Sequence, residues 1–220
     1  MTDFRMSSLE VLRRVRAVRK DYDIVVSAMG AARDWMALGS HPRDWVFVPS
    51  SMGQATSLGL GLALARPDLR VIVLGGDGGL IMNLGSLITI TAQQPANLFL
   101  LILDNGVYEV TGAQPTPASE AGRTGAPPVD LAGVARASGF RTVHRFNNLD
   151  AFTKELEEML ETRGPVFALL EVAPVPDAPG PRSPGPAPER ARAFMDALGR
   201  MDAKTREPID AKTRGREGAR

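Results

Sequence analysis

Short apolar runs alternate along this chain with longer segments in which apolar residues recur every three or four positions. The short runs are rich in β-branched and other large apolar side chains, a composition that favours strands. The predicted strands lie within residues 23–30, 45–53, 70–79, 97–106, 141–146 and 165–174. Two of them, 70–79 and 97–106, have no polar alternation over most of their length, which is typical of a strand covered on both faces.

Helical periodicity fills the intervals between these runs. The predicted helices lie within residues 7–20, 31–39, 54–67, 80–93, 129–140 and 148–164. Ser7 or Ser8 and Asn148 stand where the N-caps of the first and last of these helices are expected. Regular alternation of strand and helix predicts an α/β fold, a three-layer sandwich with a mostly parallel central sheet and helices on both faces.

The character of the sequence changes after residue 173. Seven of the fifteen residues from Pro174 to Pro188 are proline, a composition that forms an extended linker and no core. We therefore divide the chain into a domain at 1–173, a Pro-rich linker at 174–188 and a charged, disordered tail at 189–220. One short helix is predicted near 189–201, and the pentapeptide DAKTR occurs twice beyond it.

Composition excludes several classes of protein. The 220 residues carry a formal net charge of +1, which gives no reason to expect nucleic acid or a membrane surface as a partner. The absence of Cys excludes disulfides, thiolate-bound metals and a thiol nucleophile. No apolar run approaches the roughly 18 residues of a membrane span, and the first residues lack a signal-peptide pattern, so a cytoplasmic protein is expected.

Glycine-rich and polar sequences follow four of the predicted strands. Because ligands bind beyond the carboxyl ends of parallel strands, we expect these sequences to form one site. They are SAMG at 27–30, PSSMGQ at 49–54, GGDGG at 75–79 and LDNGVYEVTGAQPT at 103–116.

The GGDGG sequence suggests a bound phosphate with a cation. Its glycines let the backbone approach a ligand and expose N–H groups at a helix start, which suits a phosphate. Asp77 would repel that phosphate unless a divalent cation lay between them, and oxygen ligands favour magnesium or calcium. Asn105, 28 positions later, ends the next strand and can share the ion. The alternative is that GGDGG is a tight turn and Asp104-Asn105-Gly106 a hairpin turn.

Gly76-Asp77-Gly78, followed after 26 residues by Asn105, resembles the cofactor motif of thiamine-diphosphate enzymes. The resemblance covers roughly residues 8–173 and implies the thiamine-diphosphate-binding fold. It implies that Asp77, the Asn105 side chain and the Val107 carbonyl bind Mg²⁺. It also implies further contacts to thiamine diphosphate, including a bulky residue that keeps the cofactor bent, here Met52. These contacts are Ser27, Met29, Gly30, Ser51, Met52, Gly76, Gly78, Gly79 and Tyr108.

Within that family the chain is most similar to sulfopyruvate decarboxylase β subunits and phosphonopyruvate decarboxylases. The similarity is strongest in the run from Thr111 to Thr116, which is implied to cover the cofactor and to supply the catalytic residues Thr111 and Gln114. Glu109 and the segment 31–34 depart from the pattern of those enzymes. Arg33 either binds the anionic end of a substrate or is an ordinary helix-surface residue.

The family also implies a second polypeptide. Enzymes of this kind use a Glu on a separate pyrimidine-binding domain to activate the cofactor, and 220 residues hold one domain of the two. The expected partner is a pyrimidine-binding α subunit in an α₂β₂ or larger assembly that decarboxylates a small 2-oxo acid. The alternatives are a subunit of a 2-oxo-acid oxidoreductase, a carboligase or an acetyltransferase, and a non-catalytic cofactor-binding subunit.

Overall fold

A six-stranded parallel sheet forms the centre of the structure, a computed structural model that describes residues 5–49 and 52–199. The strands lie in the order β2-β1-β3-β4-β8-β7, and every neighbouring pair is parallel. A two-stranded antiparallel ribbon, β5 with β6, follows β4. The strands are β1 (Ile24–Ala28), β2 (Asp44–Phe47), β3 (Val71–Gly76), β4 (Leu98–Asp104), β5 (Val107–Tyr108), β6 (Gln114–Pro115), β7 (Thr142–Phe146) and β8 (Val166–Glu171).

Helices cover both faces of this sheet and separate its side chains into two apolar cores. One core lies under α1, α2 and α7, and the other lies under α3, α4, α5 and α6. The three-layer α/β architecture is therefore confirmed. The helices are α1 (Ser8–Val18), α2 (Met29–Ala37), α3 (Ala55–Ala65), α4 (Asp77–Met82), α5 (Gly85–Gln93), α6 (Leu131–Ala137), α7 (Leu149–Glu161) and α8 (Ala187–Leu198). In the described part of the chain, no helix combines the length and apolar character needed to cross a membrane.

The prediction of one helix at 80–93 was wrong in detail. Helix α4 begins at Asp77, inside the glycine-rich sequence, and ends at Met82, and α5 begins at Gly85. Asn83 lies at the break, and its side-chain amide donates to the Gly53 carbonyl and the Ser57 hydroxyl. Asn83 thus bonds to α3 and to the segment before it at the point where the predicted helix is divided in two.

The order in which strands are added to the sheet reverses at β1: β2 lies on one side of β1, and β3 lies on the other. Strand β1 leads into α2 on one face, whereas β3 leads into α4 on the opposite face. The loops after these neighbouring strands therefore diverge, and a crevice opens between the carboxyl ends of β1 and β3. Crevices at such a switch point are where α/β sheets bind ligands.

The segment beyond residue 173 includes a helix that packs against the sheet edge. In α8, the Phe194 side chain is buried and its ring lies 5.3 Å from that of Trp45 in the edge strand β2. The Arg190 guanidinium donates to the carbonyl oxygens of Val46 and Val48. The helix was predicted near 189–201 and spans Ala187–Leu198, so it begins two residues earlier and ends three residues earlier. The division at 173 and 188 stays a prediction.

We expect Phe194→Ala to destabilise the chain by about 3 kcal/mol, because it removes a buried ring from contact with Trp45. Met195, the next residue of α8, is 68% exposed, so Met195→Ala is a matched control expected to change stability by less than about 0.5 kcal/mol. Urea unfolding of the two variants measures the difference. Equal stabilities would show that α8 adds nothing to the fold.

Candidate functional site

One cavity lies at the carboxyl ends of β1, β3 and β4. Its lining includes residues from all four of the glycine-rich and polar sequences that were expected to meet. The predicted site residues that line it are Met29, Gly30, Met52, Gly76, Asp77, Gly78, Gly79, Asn105, Val107, Tyr108 and Thr111. The topology that places the crevice at β1 and β3 thus also gathers these residues.

Two helices begin at this cavity without a side-chain cap. Helix α2 follows Ala28 and helix α4 follows Gly76, and neither N-cap residue makes a side-chain hydrogen bond to its helix. The first N–H groups of a helix need acceptors and carry a partial positive charge. Met29, the first residue of α2, has φ of 54°, a strained value for a residue with a side chain. This end of the sheet is arranged to receive an anion.

Asp77 is the buried carboxylate of the site, with 1% of its surface exposed. Its Oδ2 accepts a hydrogen bond from the Thr116 hydroxyl at 3.1 Å, and its carboxylate also accepts from the backbone N–H groups of Gly78 and Asn105. Burial, followed by the charge of nearby Asp104, raises the pKa of Asp77 to about 7 despite these donors. A carboxylate in this setting is stabilised by a cation.

Asn105 presents its side chain beside that carboxylate. The backbone N–H of Val107 donates to Asn105 Oδ1 at 3.0 Å, and Asn105 Nδ2 donates to Glu109 Oε1 at 3.2 Å. An amide oxygen that accepts one hydrogen bond keeps a lone pair for a metal ion. Asn105 and Val107 both line the cavity with Asp77.

The glycines of α4 leave the helix backbone without side chains at the wall of the cavity. A Cβ atom on Gly78 would lie 2.6 Å from Cδ1 of Tyr108, so the Tyr108 ring packs directly on this residue. A Cβ atom on Gly79 would meet nothing within 4 Å. Side chains are thus excluded at Gly78 by the aromatic ring, while the space beside Gly79 stays open to a ligand.

The oxygen atoms of Asp77, Asn105 and Val107 are suitable ligands for a hard divalent cation. A carboxylate oxygen, an amide oxygen and a main-chain carbonyl are the ligand types that Mg²⁺ binds, usually together with phosphate oxygens and water. A cation between Asp77 and an anion at the helix N-termini would offset the burial that raises the pKa of Asp77. The site therefore fits a metal-bound diphosphate better than a free anion, which Asp77 would repel.

Two of the predicted site residues that the structure describes, Ser27 and Gln114, stand apart from the cavity lining. Ser27 lies between two residues whose side chains face the α3 side, so its own side chain faces α2, and its hydroxyl has no hydrogen-bond partner among the described residues. Gln114 is exposed and bonds to Thr111, with Thr111 Oγ1 donating to Gln114 Oε1 at 3.0 Å. Ser51 lies outside the described residues.

The structure gives contacts for three residues to which the sequence assigned no definite role: Thr116, Arg33 and Glu109. Thr116 is the buried hydroxyl donor to Asp77. Arg33 Nη1 donates to Glu109 Oε2 at 2.9 Å, and its Nε donates to Asp34 at 2.8 Å. Arg33 is thus ion-paired with two carboxylates, while its Nη2 is buried with no hydrogen-bond partner among the described residues. The available signal was that Arg33 and Glu109 both lie where the sequence departs from the pattern expected of the family.

Comparisons with known proteins agree with this geometry. Residues 27–170 match the family described as "Thiamine pyrophosphate enzyme, C-terminal TPP binding domain". The chain is 36% identical over 169 residues to sulfopyruvate decarboxylase subunit beta from Methanothermobacter thermautotrophicus, an alignment that covers 77% of this chain and 83% of that protein.

A longer relative and a solved structure extend the comparison. The chain is 36% identical over 208 residues to phosphonopyruvate decarboxylase from Streptomyces viridochromogenes, covering 94% of this chain and 49% of that enzyme, so it spans about half of that relative. A 2-oxoglutarate:ferredoxin oxidoreductase from Magnetococcus marinus shares the fold, with a TM-score of 0.64 and 18% identity over 78% of this chain and 63% of that chain. This chain belongs to the thiamine pyrophosphate enzyme family and contains its C-terminal TPP-binding domain.

Proposed function

We propose that this chain is the diphosphate-binding subunit of a thiamine-diphosphate-dependent decarboxylase that acts on a 2-oxo acid with a sulfonate or phosphonate group. The observation that carries the proposal is the buried Asp77 carboxylate at the start of α4, with Asn105 and Val107 beside it. The names of the relatives that align with the chain support the reaction type and the class of substrate.

In this proposal the chain's own residues hold the cofactor through its diphosphate. Asp77, the Asn105 amide oxygen and the Val107 carbonyl would bind Mg²⁺, and the N–H groups at the starts of α2 and α4 would face the phosphate oxygens. When bound, thiamine diphosphate supplies a nucleophilic carbon and an electron sink for decarboxylation. Thr116 keeps Asp77 in place, and Tyr108 closes the cavity over Gly78.

We propose that the activating Glu comes from a pyrimidine-binding partner polypeptide in an α₂β₂ or larger assembly. The chain aligns with most of a protein named as a subunit and with half of a longer decarboxylase, which supports division of the enzyme between two chains. Thr111 and Gln114 lie at the exposed ribbon of β5 and β6, where a partner can reach them. An oxidoreductase with an iron–sulfur cluster bound by this chain is disfavoured by its lack of Cys.

We expect the purified chain with Mg²⁺ and thiamine diphosphate to release no CO₂ from sulfopyruvate, phosphonopyruvate or pyruvate. Adding a pyrimidine-binding α subunit should raise the rate with one of the first two substrates by at least about 100-fold, since that partner would supply a group required for cofactor activation. A CO₂ release assay on the chain, the partner and the mixture measures this. Full activity of the chain alone would contradict the two-subunit proposal, and activity confined to pyruvate would contradict the proposed substrate class.

A further inference from the structure

The side-chain amide of Asn105 is held between a hydrogen-bond donor and a hydrogen-bond acceptor. On one side, the Val107 N–H donates to Asn105 Oδ1 at 3.0 Å. On the other side, Glu109 Oε1 accepts from Asn105 Nδ2 at 3.2 Å. Both neighbours therefore act on the same amide group, and together they fix the positions of its oxygen and its NH₂ group.

This arrangement permits only one orientation of the amide. An ionised carboxylate accepts hydrogen bonds and donates none, whereas a backbone N–H donates and cannot accept. Rotating the Asn105 amide by 180° would place its oxygen against the Glu109 carboxylate and its NH₂ group against the Val107 N–H. Both contacts would then be repulsive, so Glu109 and Val107 jointly keep the amide oxygen in its present position.

Glu109 is itself fixed from two further directions. Its Oε2 accepts from Arg33 in α2, and its Oε1 also accepts from the backbone N–H of Val175 at 2.8 Å, beyond the last strand. Its side chain is only 7% exposed. A carboxylate held by a cation and a backbone donor from separate elements is a rigid acceptor for Asn105.

We propose that Glu109 is a positioning residue that orients the Asn105 amide so that its oxygen, and not its NH₂ group, is available to the metal ion. The proposal rests on the metal site of the proposed function. It gives Glu109 a role in holding a ligand, with Arg33 as the residue that anchors it.

A direct role of Glu109 at the metal ion or in proton transfer is a different hypothesis. Each of its oxygens already accepts a hydrogen bond, Oε1 from two donors and Oε2 from one, and one of these donors is a charged guanidinium. The Arg33 guanidinium already offsets the negative charge of Glu109, which weakens the attraction of this carboxylate for a metal ion or a proton. The observed contacts therefore favour positioning.

Two substitutions at this residue separate orientation from charge. Glu109→Gln and Glu109→Met remove the same negative charge, but only Gln keeps an oxygen that can accept from Asn105 Nδ2. Glu120, an exposed carboxylate in the next turn of the same loop, supplies the matched control Glu120→Gln. All three variants are made in the full chain.

The first measurement is the NMR signal of the Asn105 side-chain NH₂ group in the metal-free, ¹⁵N-labelled chain, assigned by its loss in Asn105→Asp. We expect one downfield proton, hydrogen-bonded to the carboxylate, in the unsubstituted chain and in Glu120→Gln. The downfield shift should persist in reduced form in Glu109→Gln and disappear in Glu109→Met.

The second measurement is the affinity for Mn²⁺, a paramagnetic substitute for Mg²⁺, titrated in the presence of thiamine diphosphate. Loss of an outer residue that orients a metal ligand typically weakens binding by about 10- to 100-fold. We expect at least about 10-fold weaker binding in Glu109→Met, less than about 3-fold in Glu109→Gln, and no change in Glu120→Gln.

The outcomes separate this proposal from the proposed function. Equal losses in Glu109→Gln and Glu109→Met would show that only the charge matters and would overturn the positioning role. Unchanged NH₂ signals and Mn²⁺ affinity in Glu109→Met would overturn it as well. Failure of the unsubstituted chain to bind Mn²⁺ with thiamine diphosphate would instead overturn the metal site, and with it the proposed function on which the positioning role rests.

Discussion

Replacing Asp77 by Asn should abolish Mg²⁺-dependent binding of thiamine diphosphate and, at the same time, make the metal-free chain more stable at pH 8. The loss of binding follows because the substitution removes the carboxylate that would face the metal ion. The gain in stability follows because that carboxylate is almost fully buried and its pKa is raised to about 7, by burial and then by Asp104. One substitution is thus expected to have opposite effects on the two properties.

The sign of the stability effect follows from proton binding. The folded chain retains the Asp77 proton up to about pH 7, whereas the unfolded chain releases it near the ordinary pKa of 3.8. Folding is therefore weakened as pH rises through the interval between these two values. A pKa raised by this amount corresponds to about 4 kcal/mol at pH 7 and above. An Asn side chain is not ionised and so avoids this cost, but it has one acceptor oxygen fewer. We therefore expect Asp77→Asn to raise the free energy of unfolding by about 2 kcal/mol.

Urea unfolding of both metal-free chains at pH 5 and pH 8 measures the effect of Asp77 together with its coupling to Asp104. The variant's advantage should be larger at pH 8 than at pH 5. Calorimetric titration with thiamine diphosphate and Mg²⁺ measures the binding. Asp150→Asn removes an exposed carboxylate from the first turn of α7 and should leave cofactor binding unchanged. Cofactor binding that survives Asp77→Asn would refute the assigned site.

A second large effect is expected at the contact between α3 and the sheet. A Cβ atom on Gly59 would lie 2.3 Å from Cγ2 of Val73 in β3, so this helix packs with its backbone directly on a strand. A Cβ atom on Gly61, two residues further along the same helix, would meet nothing within 4 Å. We expect Gly59→Ala to destabilise the chain by about 3 kcal/mol through overpacking. Gly61→Ala should stabilise it by about 0.5 kcal/mol, because Ala has the higher helix propensity.

The two alanine variants form a matched pair, since the same methyl group is added to one helix in both. Chemical unfolding at a single pH gives the two changes in free energy, and their opposite signs are the test. Destabilisation of similar size in both variants would mean that α3 does not pack closely on β3. The pair also bears on the site, because β3 leads directly into Asp77.

Most of the sheet could be predicted from the sequence, and the reasons are visible in particular strands. Strands β3 and β4 are buried along nearly their whole length, and their unbroken apolar sequences predicted this. Strand β7 lies at the sheet edge and is only partly buried, in agreement with its mixed composition. The break between α4 and α5 was missed because it depends on contacts of Asn83 with Gly53 and Ser57, which are distant in the sequence.

The candidate site was predictable where its residues follow the carboxyl ends of predicted strands, and unpredictable where it depends on a side-chain pair between distant elements. The position of Asp77 at the carboxyl end of β3 followed from strand order and glycine content. The ion pair of Arg33 and Glu109 joins residues 76 positions apart, and neither residue alone indicates the other. Ser27 was assigned to the cofactor by resemblance, although alternation along β1 already places its side chain on the opposite face from that of Ala28.

The contact between Arg190 and β2 has a consequence for association between molecules. Strand β2 is an outer strand of the sheet, and outer strands carry backbone groups that can pair with a strand of another chain. The Arg190 guanidinium occupies the carbonyl oxygens of Val46 and Val48, while its charge lies over the Trp45 ring, 5.2 Å from the ring centroid. The C-terminal helix thereby protects this edge against strand addition and the aggregation that would follow from it.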